Sequence, residues 1–307
     1  VSALRNTVLV CIVLGACAAA EGKQYALIVG GLGGEPEYEQ RFRAQATDLA
    51  TATLYADEQA QVVTLTGVKA TRAAIRETLT SIAATASAND FLTVTLIGHG
   101  TYDGEDYRYN IPGPDLTATD LANWLQPIST RQQLIVVATS ASGGALQRLQ
   151  SERRVVITAT KSGGERNAVR FVEHWLQALR AGEADRDKNE WVTAQEAYDY
   201  AVRKVADAFK SSAALATEHA RLEGKQASSM PLGRLGTAKQ MPNDAVLVDL
   251  FAERVRTETE FEAVKARKAQ LAADAYYQEL EKSLIALAKT QRRIDARQAA
   301  LAKEAAR

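Results

Sequence analysis

Apolar residues follow two different periods along the first two thirds of the chain. Short runs rich in β-branched residues, Tyr25–Gly30, Gln61–Leu65, Phe91–Ile97, Leu134–Ala138 and Val155–Ala159, have the length of strands buried in a sheet. The segments between them carry apolar residues three and four apart. Residues 37–56 place Phe42, Ala46, Leu49, Ala50 and Thr53 on one helical face behind Pro36, and Thr71–Ala86 does the same with Ile75, Leu79 and Ile82. Thr119–Leu125, Ala145–Gln150, 167–180 and 193–210 complete the helical set. Strands separated by helices predict an α/β fold: a mostly parallel sheet, right-handed crossovers and helices on both faces. A ligand of such a sheet belongs at the carboxyl ends of its strands. Four loops of small residues fall there, at 30–34, 98–104, 139–144 and 160–164.

The pattern changes after residue 220, so the α/β domain is expected over 22–220. Residues 221–245 are rich in Gly, Pro, Ser, Lys and Gln and read as a linker or irregular wrap. Residues 246–307 contain neither Gly nor Pro, and their Ala, Glu, Lys, Arg and Leu predict a long helical arm. Leu280, Leu287, Ile294 and Leu301 recur every seventh residue, with Leu284 beside them, while Val264 and Leu271 belong to a different register. The break near Ala272–Asp274 predicts either a hairpin, with Asp274 capping the second helix, or one kinked helix. Gln291 and Gln298 on the opposing seam make a weak coiled coil. The arm either packs on its own domain or serves self-association or a partner helix.

The first twenty residues carry a different signal. Arg5, the short apolar run Val8–Leu14 and the small residues Ala18–Ala20 have the order of an export signal, and the run is too short to span a membrane. Cleavage after Ala20 gives a free protein; Leu14-Gly15-Ala16-Cys17 resembles a lipobox, which would leave Cys17 lipidated. A buried N-terminal helix is the alternative. The protein is expected in the periplasm, on the outer membrane as a lipoprotein, or secreted, with membrane contact only through a lipid anchor. Lys+Arg and Asp+Glu are both 37, so no basic excess exists to draw nucleic acid. The two cysteines, Cys11 and Cys17, both lie in the export segment. A disulfide scaffold, a cysteine zinc site and a thiol nucleophile are therefore excluded from the folded body.

Two strand ends carry candidate chemistry. Ile97-Gly98-His99-Gly100 holds a histidine between glycines, accessible to a ligand, as general acid–base work requires. Leu134–Ala138 runs into Thr139-Ser140-Ala141-Ser142-Gly143-Gly144, where small neighbours open Ser140 to attack and a backbone N–H near Gly143 could face an oxyanion. The alternative is a tight strand-to-helix turn with capping serines. Taken together, these segments resemble the caspase-like cysteine peptidases, and most closely the legumain family. There a strand ending in His-Gly is followed by one ending in [Asp/Glu]-x-Cys-x-Ser-Gly. The resemblance implies a caspase-like α/β domain in which His99 falls on the catalytic histidine and Ser140 on the cysteine nucleophile. Ser142 and Gly143 keep the family's Ser-Gly, Ala138 replaces an acidic residue, and Lys161 lies in a loop that lines the family's pocket. Gly100, Ser142, Gly143 and Lys161 thus border the expected cleft, which would take a peptide or protein.

Serine at 140 changes the chemistry. A thiol ionises near pH 8.5, roughly, and is partly anionic at neutral pH; a hydroxyl needs a closely hydrogen-bonded base. The expectation is a degenerate peptidase that binds or scaffolds. The rivals are a serine-type peptidase or hydrolase using Ser140 and His99, and a structural envelope protein acting through its C-terminal helices.

A third segment, Asp185–Glu196, matches the twelve-residue calcium loop at Asp185, Asp187, Asn189 and Glu196, with Val192 at the apolar position. Glu190 stands where glycine normally makes the sharp turn. The other reading is an interhelical loop in which Thr193 and Glu196 form a capping box. No cofactor is required, and calcium is the one candidate. His219 opens the 221–245 stretch with no partner at ligand spacing.

Overall fold

The computed structural model describes residues 22–180, 182–188, 190–235 and 244–305. The export segment with Cys17, and Asn189, lie outside the described residues. Eleven strands and eight α-helices follow one another among the described residues. The central sheet holds β1 (Gln24–Gly30), β2 (Gln61–Thr66), β3 (Phe91–Gly98), β7 (Gln132–Thr139), β8 (Arg154–Thr158) and β10 (Arg221–Glu223), in the order β10-β8-β7-β3-β1-β2. All neighbours are parallel except β10, which runs antiparallel to β8. The expected α/β architecture, with helices on both faces, is present.

Side chains along β7 sort by the pleat's period of two. Leu134, Val136 and Ala138 face α1 (Pro36–Ala56), α5 (Phe171–Ala178) and α6 (Ala194–Ser211). Ile135 and Val137 face α2 (Arg72–Thr85), α3 (Ala118–Leu125) and α4 (Leu146–Leu149). All eight residues of β7 are buried, which explains its unbroken apolar reading. A small second sheet, β4 (Gly100–Tyr102), β5 (Tyr107–Tyr109) and β6 (Leu116–Thr117), stands directly beyond β3. Its tyrosines Tyr107 and Tyr109 are buried in the same core.

Three sequence expectations change. The segment 221–245 is not a linker where the structure describes it. Residues 221–223 are the edge strand β10, and β11 (Pro231–Arg234) pairs antiparallel with β9 (Trp191–Thr193). Edge strands bury one side only, so the polar Arg-Leu-Glu of β10 gives no apolar run. The helix expected over 167–180 is shorter, Phe171–Ala178. Its start is set by Glu218 from a distant segment, whose carboxylate accepts the N–H groups of Arg170 and Phe171 at 2.8 Å each. Finally, the arm is a hairpin of α7 (Ala245–Ala266) and α8 (Ala273–Ala305), with Asp274 inside the first turn of α8 rather than capping it.

The hairpin packs on its own domain at its root. Trp191, Leu247, Leu250, Phe251, Ile294 and Leu301 form one buried cluster, with the Trp191 and Phe251 rings 5.8 Å apart. Asp244 caps α7 through the Leu247 N–H at 2.8 Å and also accepts from Arg297 of α8 at 2.5 Å. The buried seam of α8 uses Tyr276, Ser283 and Thr290 beside Ile294 and Leu301, not Gln291 and Gln298. Ser283 and Thr290 tolerate burial because each donates to a carbonyl of its own helix, Leu280 and Ala286. Truncation of Phe251 to alanine tests this docking. Chemical denaturation should show a loss of about 3 kcal/mol; a change under about 0.5 kcal/mol, the size of a surface substitution, would place the arm off the body.

Candidate functional site

The strand ends expected to carry chemistry are neighbours. β3 and β7 pair in parallel, with Ile97 opposite Ala138 and Gly98 opposite Thr139. Gly98 takes φ 148, in the region that favours glycine, and this turn delivers His99 and Gly100 beyond the sheet. Ser140 follows directly at the end of β7.

His99 and Ser140 nevertheless face different partners. The His99 ring is half-buried, edge-on to Tyr38 at 4.9 Å and Phe42 at 5.1 Å, both on α1. Burial first, then the positive charge of Arg41, lowers its pKa below the ordinary 6.5, against a hydrogen bond with the Gly33 backbone. The imidazole is therefore neutral at neutral pH. Ser140 is 3% exposed. Its Oγ accepts the Gly100 N–H at 3.1 Å and donates to the Gly100 carbonyl at 3.1 Å. One side chain thus closes both backbone groups of the residue after His99. The hydroxyl's proton is committed to a carbonyl rather than to a base.

The expected oxyanion donor is also engaged. Ala141 takes φ 54, and its N–H donates to the Glu165 carbonyl at 2.7 Å. This left-handed turn brings Ser142 and Gly143 against Thr160 of the next loop. The Gly143 N–H donates to Thr160 Oγ1 at 2.9 Å, and Ser142 Oγ accepts the Thr160 N–H at 3.0 Å. Gly143 is therefore a close-packing residue between loops, in place of an open oxyanion donor. Tyr102 was not foreseen. Its ring lies between Gly144 and Gly163: a Cβ would come within 2.5 Å of the ring at the first and 2.2 Å at the second. An aromatic ring thus fills the space between the 139–144 and 160–164 loops. Two glycines after a strand gave the only sequence signal, and it did not say what they would pack against.

Lys161 is exposed, with its Nζ 3.6 Å from Glu165 and its N–H donating to the same carboxylate at 2.9 Å. Glu165 also receives His219, whose Nδ1 lies 2.5 Å from Oε1. Burial opposes ionisation of Glu165, but the N–H of Lys161 and then His219 outweigh it and hold the carboxyl below its ordinary range. His219 therefore has a partner across the cleft loop. Sequence spacing around His219 does not show this partner because Glu165 is remote along the chain.

The 185–196 loop forms the capping box that was one of its two sequence readings, and three of its acidic side chains lie together. Thr193 and Glu196 form the capping box of α6. The carboxylate oxygens of Asp185, Asp187 and Glu196 also lie within 4.8 Å of one another, a donor set suited to a hard cation. Glu190 takes φ 67, the left-handed conformation that glycine supplies in calcium loops. Burial first raises the Glu196 pKa, and Asp187 adds to this. Arg254 of α7 forms an ion pair with Asp187, so the arm supplies positive charge to this loop.

No protein-family model and no curated protein matches the chain. Among solved structures, the protein GSU0716 from Geobacter sulfurreducens aligns with a TM-score of 0.49 at 13% identity, covering 70% of this chain and 100% of that one. No helix among the described residues is long and apolar enough to cross a membrane.

Glu218, 4% exposed, is the site's most perturbed acid. Burial pushes its carboxyl up to about 7, against the Arg170 and Phe171 N–H groups and the Arg170 charge, while Glu165 adds to the rise. The folded state then holds a proton that the unfolded chain releases above its ordinary 4.5. The stability this contributes is complete below that value and falls as pH rises toward 7. Glu218→Gln should therefore flatten the fall in melting temperature between pH 4.5 and 7; an unchanged slope would contradict the assignment.

Proposed function

We propose that this chain is an exported, legumain-like member of the caspase-like peptidase fold whose peptidase site is degenerate and whose role is to bind or scaffold a peptide or protein. Four observations support the reading. His99 and Ser140 follow adjacent parallel strands, the placement that the resemblance implies. His99 is turned toward α1 and packs edge-on against Tyr38 and Phe42. Tyr102 occupies the space between the two loops that would line a peptide cleft. The observation that carries most weight is the reciprocal Ser140–Gly100 pair, because it gives the serine a structural task incompatible with an available nucleophile. A serine hydrolase would instead hold its hydroxyl against a base.

Export through residues 1–20, with or without a lipid on Cys17, places this role outside the cytoplasm, in the periplasm, on the outer membrane or in the medium. The rival reading, a serine-type peptidase or hydrolase using Ser140 and His99, requires the Ser140 hydroxyl to leave Gly100 and turn to His99.

An activity-based fluorophosphonate probe separates the two. The purified protein should remain unlabelled, and Ser140→Cys should gain no peptide cleavage. Labelling that disappears in Ser140→Ala, or cleavage gained with the cysteine, would overturn the non-catalytic reading.

A further inference from the structure

The β4–β5 hairpin carries three tyrosines, and they are anchored differently. Tyr107 and Tyr109 are buried, and their hydroxyls bond to the ends of the central sheet. Tyr107 pairs with Thr139 Oγ1 at 2.5 Å, and Tyr109 donates to the carbonyls of Val29 and Ile97 at 2.8 Å each. Tyr102 is half-buried. Its hydroxyl donates to the Gly104 carbonyl of its own hairpin at 2.9 Å. Among the described contacts, no hydrogen bond of this side chain reaches the 139–144 or the 160–164 loop.

The ring nevertheless fits those loops closely. A Cβ on Gly144 would meet Cδ2 of Tyr102 at 2.5 Å, and one on Gly163 would meet Cδ1 at 2.2 Å, so each edge of the ring lies against a different glycine. Both positions must lack a side chain for the ring to enter. Beside the ring the loops meet directly, since a Cβ on Gly143 would come within 2.2 Å of the Ser162 nitrogen. The result is a slot past the carboxyl ends of β7 and β8, where α/β sheets place their ligands. It holds an aromatic ring by van der Waals contact, and that ring can withdraw without breaking a hydrogen bond to the loops. A second ring entering in its place would regain the same contacts.

We propose that this slot recognises an aromatic side chain of a peptide partner, and that Tyr102 is its tethered competitor, an autoinhibitory contact that the partner displaces. The inference rests on the binding role proposed above and names the residue class that the cleft reads. A phenylalanine or tyrosine of the partner supplies the ring and, with two side-chain torsions, loses little conformational entropy on entry. Leucine is long enough to reach both glycines, but it leaves the outer part of the slot, now filled by the rest of the phenol, without contacts. Only molecules whose Tyr102 has withdrawn are competent, so the competitor lowers the apparent affinity by that fraction.

Saturation-transfer NMR on the full chain tests it, with N-acetylphenylalaninamide as the probe and N-acetylleucinamide as the comparison. Tyr102→Ala should bind the phenylalanine amide about tenfold more tightly than the wild type, because the internal competitor is gone, and should prefer it to the leucine amide. Tyr102→Phe keeps the ring and should bind as weakly as the wild type. In the wild type itself, a high concentration of the phenylalanine amide should move the Tyr102 ring resonances toward those of free tyrosine, a readout that stands even where the alanine variant does not fold. Equal affinity of the wild type and folded Tyr102→Ala, tight binding by Tyr102→Phe, equal affinity for the two amides, or Tyr102 resonances that stay fixed while the probe saturates would each overturn the proposal. The fluorophosphonate test reads Ser140 alone, so a failure here and a failure of the non-catalytic reading are separate results.

Discussion

The ends of β3 and β7 are held by one side chain acting as a piece of backbone. Past Gly98 and Thr139 the parallel ladder stops, and the chain turns outward on both strands. Ser140 then supplies the donor and acceptor that the ladder no longer provides, bonding both the N–H and the carbonyl of Gly100. Both groups are buried, and a buried peptide group without a partner costs about 1–3 kcal/mol. Two further contacts adjoin this clamp. Gly100 begins β4, whose Tyr102 enters between Gly144 and Gly163. Ser140 precedes the turn at Ala141 that docks Ser142 and Gly143 onto Thr160.

Such a clamp restricts chemistry in a way that the choice of residue alone does not. A serine hydroxyl does not ionise near neutral pH and needs a base to act as a nucleophile. Here the hydroxyl is also desolvated and already bonded on both sides. His99 is kept neutral by burial and by Arg41, and its ring packs against Tyr38 and Phe42. The two residues share a strand-end neighbourhood without sharing a hydrogen bond among the described contacts. The turn around Ser140 is thus built as core.

Much of the α/β body was legible because its central strands, β1, β3, β7 and β8, are largely buried and its helices are buried on one face. Leu134–Ala138 and the Phe42, Ala46 and Leu49 face needed no tertiary information. What escaped the sequence depends on contacts between remote segments. Glu218 sets the start of α5 from forty-odd residues away, about the separation at which local rules are silent. β10 is an edge strand with a polar face, and Ser283 and Thr290 can occupy a helical seam because their hydroxyls are satisfied within α8. Around the site, the positions of His99 and Ser140 could be read, but the directions of their side chains could not. Those directions are set by Tyr38, Phe42 and the Gly100 backbone.

The central claim is that Ser140 is a structural residue, and the stability of Ser140→Ala tests it most directly. Urea denaturation should show a loss of about 1–3 kcal/mol, the cost of leaving the buried Gly100 groups without partners. A residue maintained for catalysis behaves in the opposite way, since its removal is commonly neutral or stabilising. An alanine variant as stable as the wild type, or more so, would contradict the account.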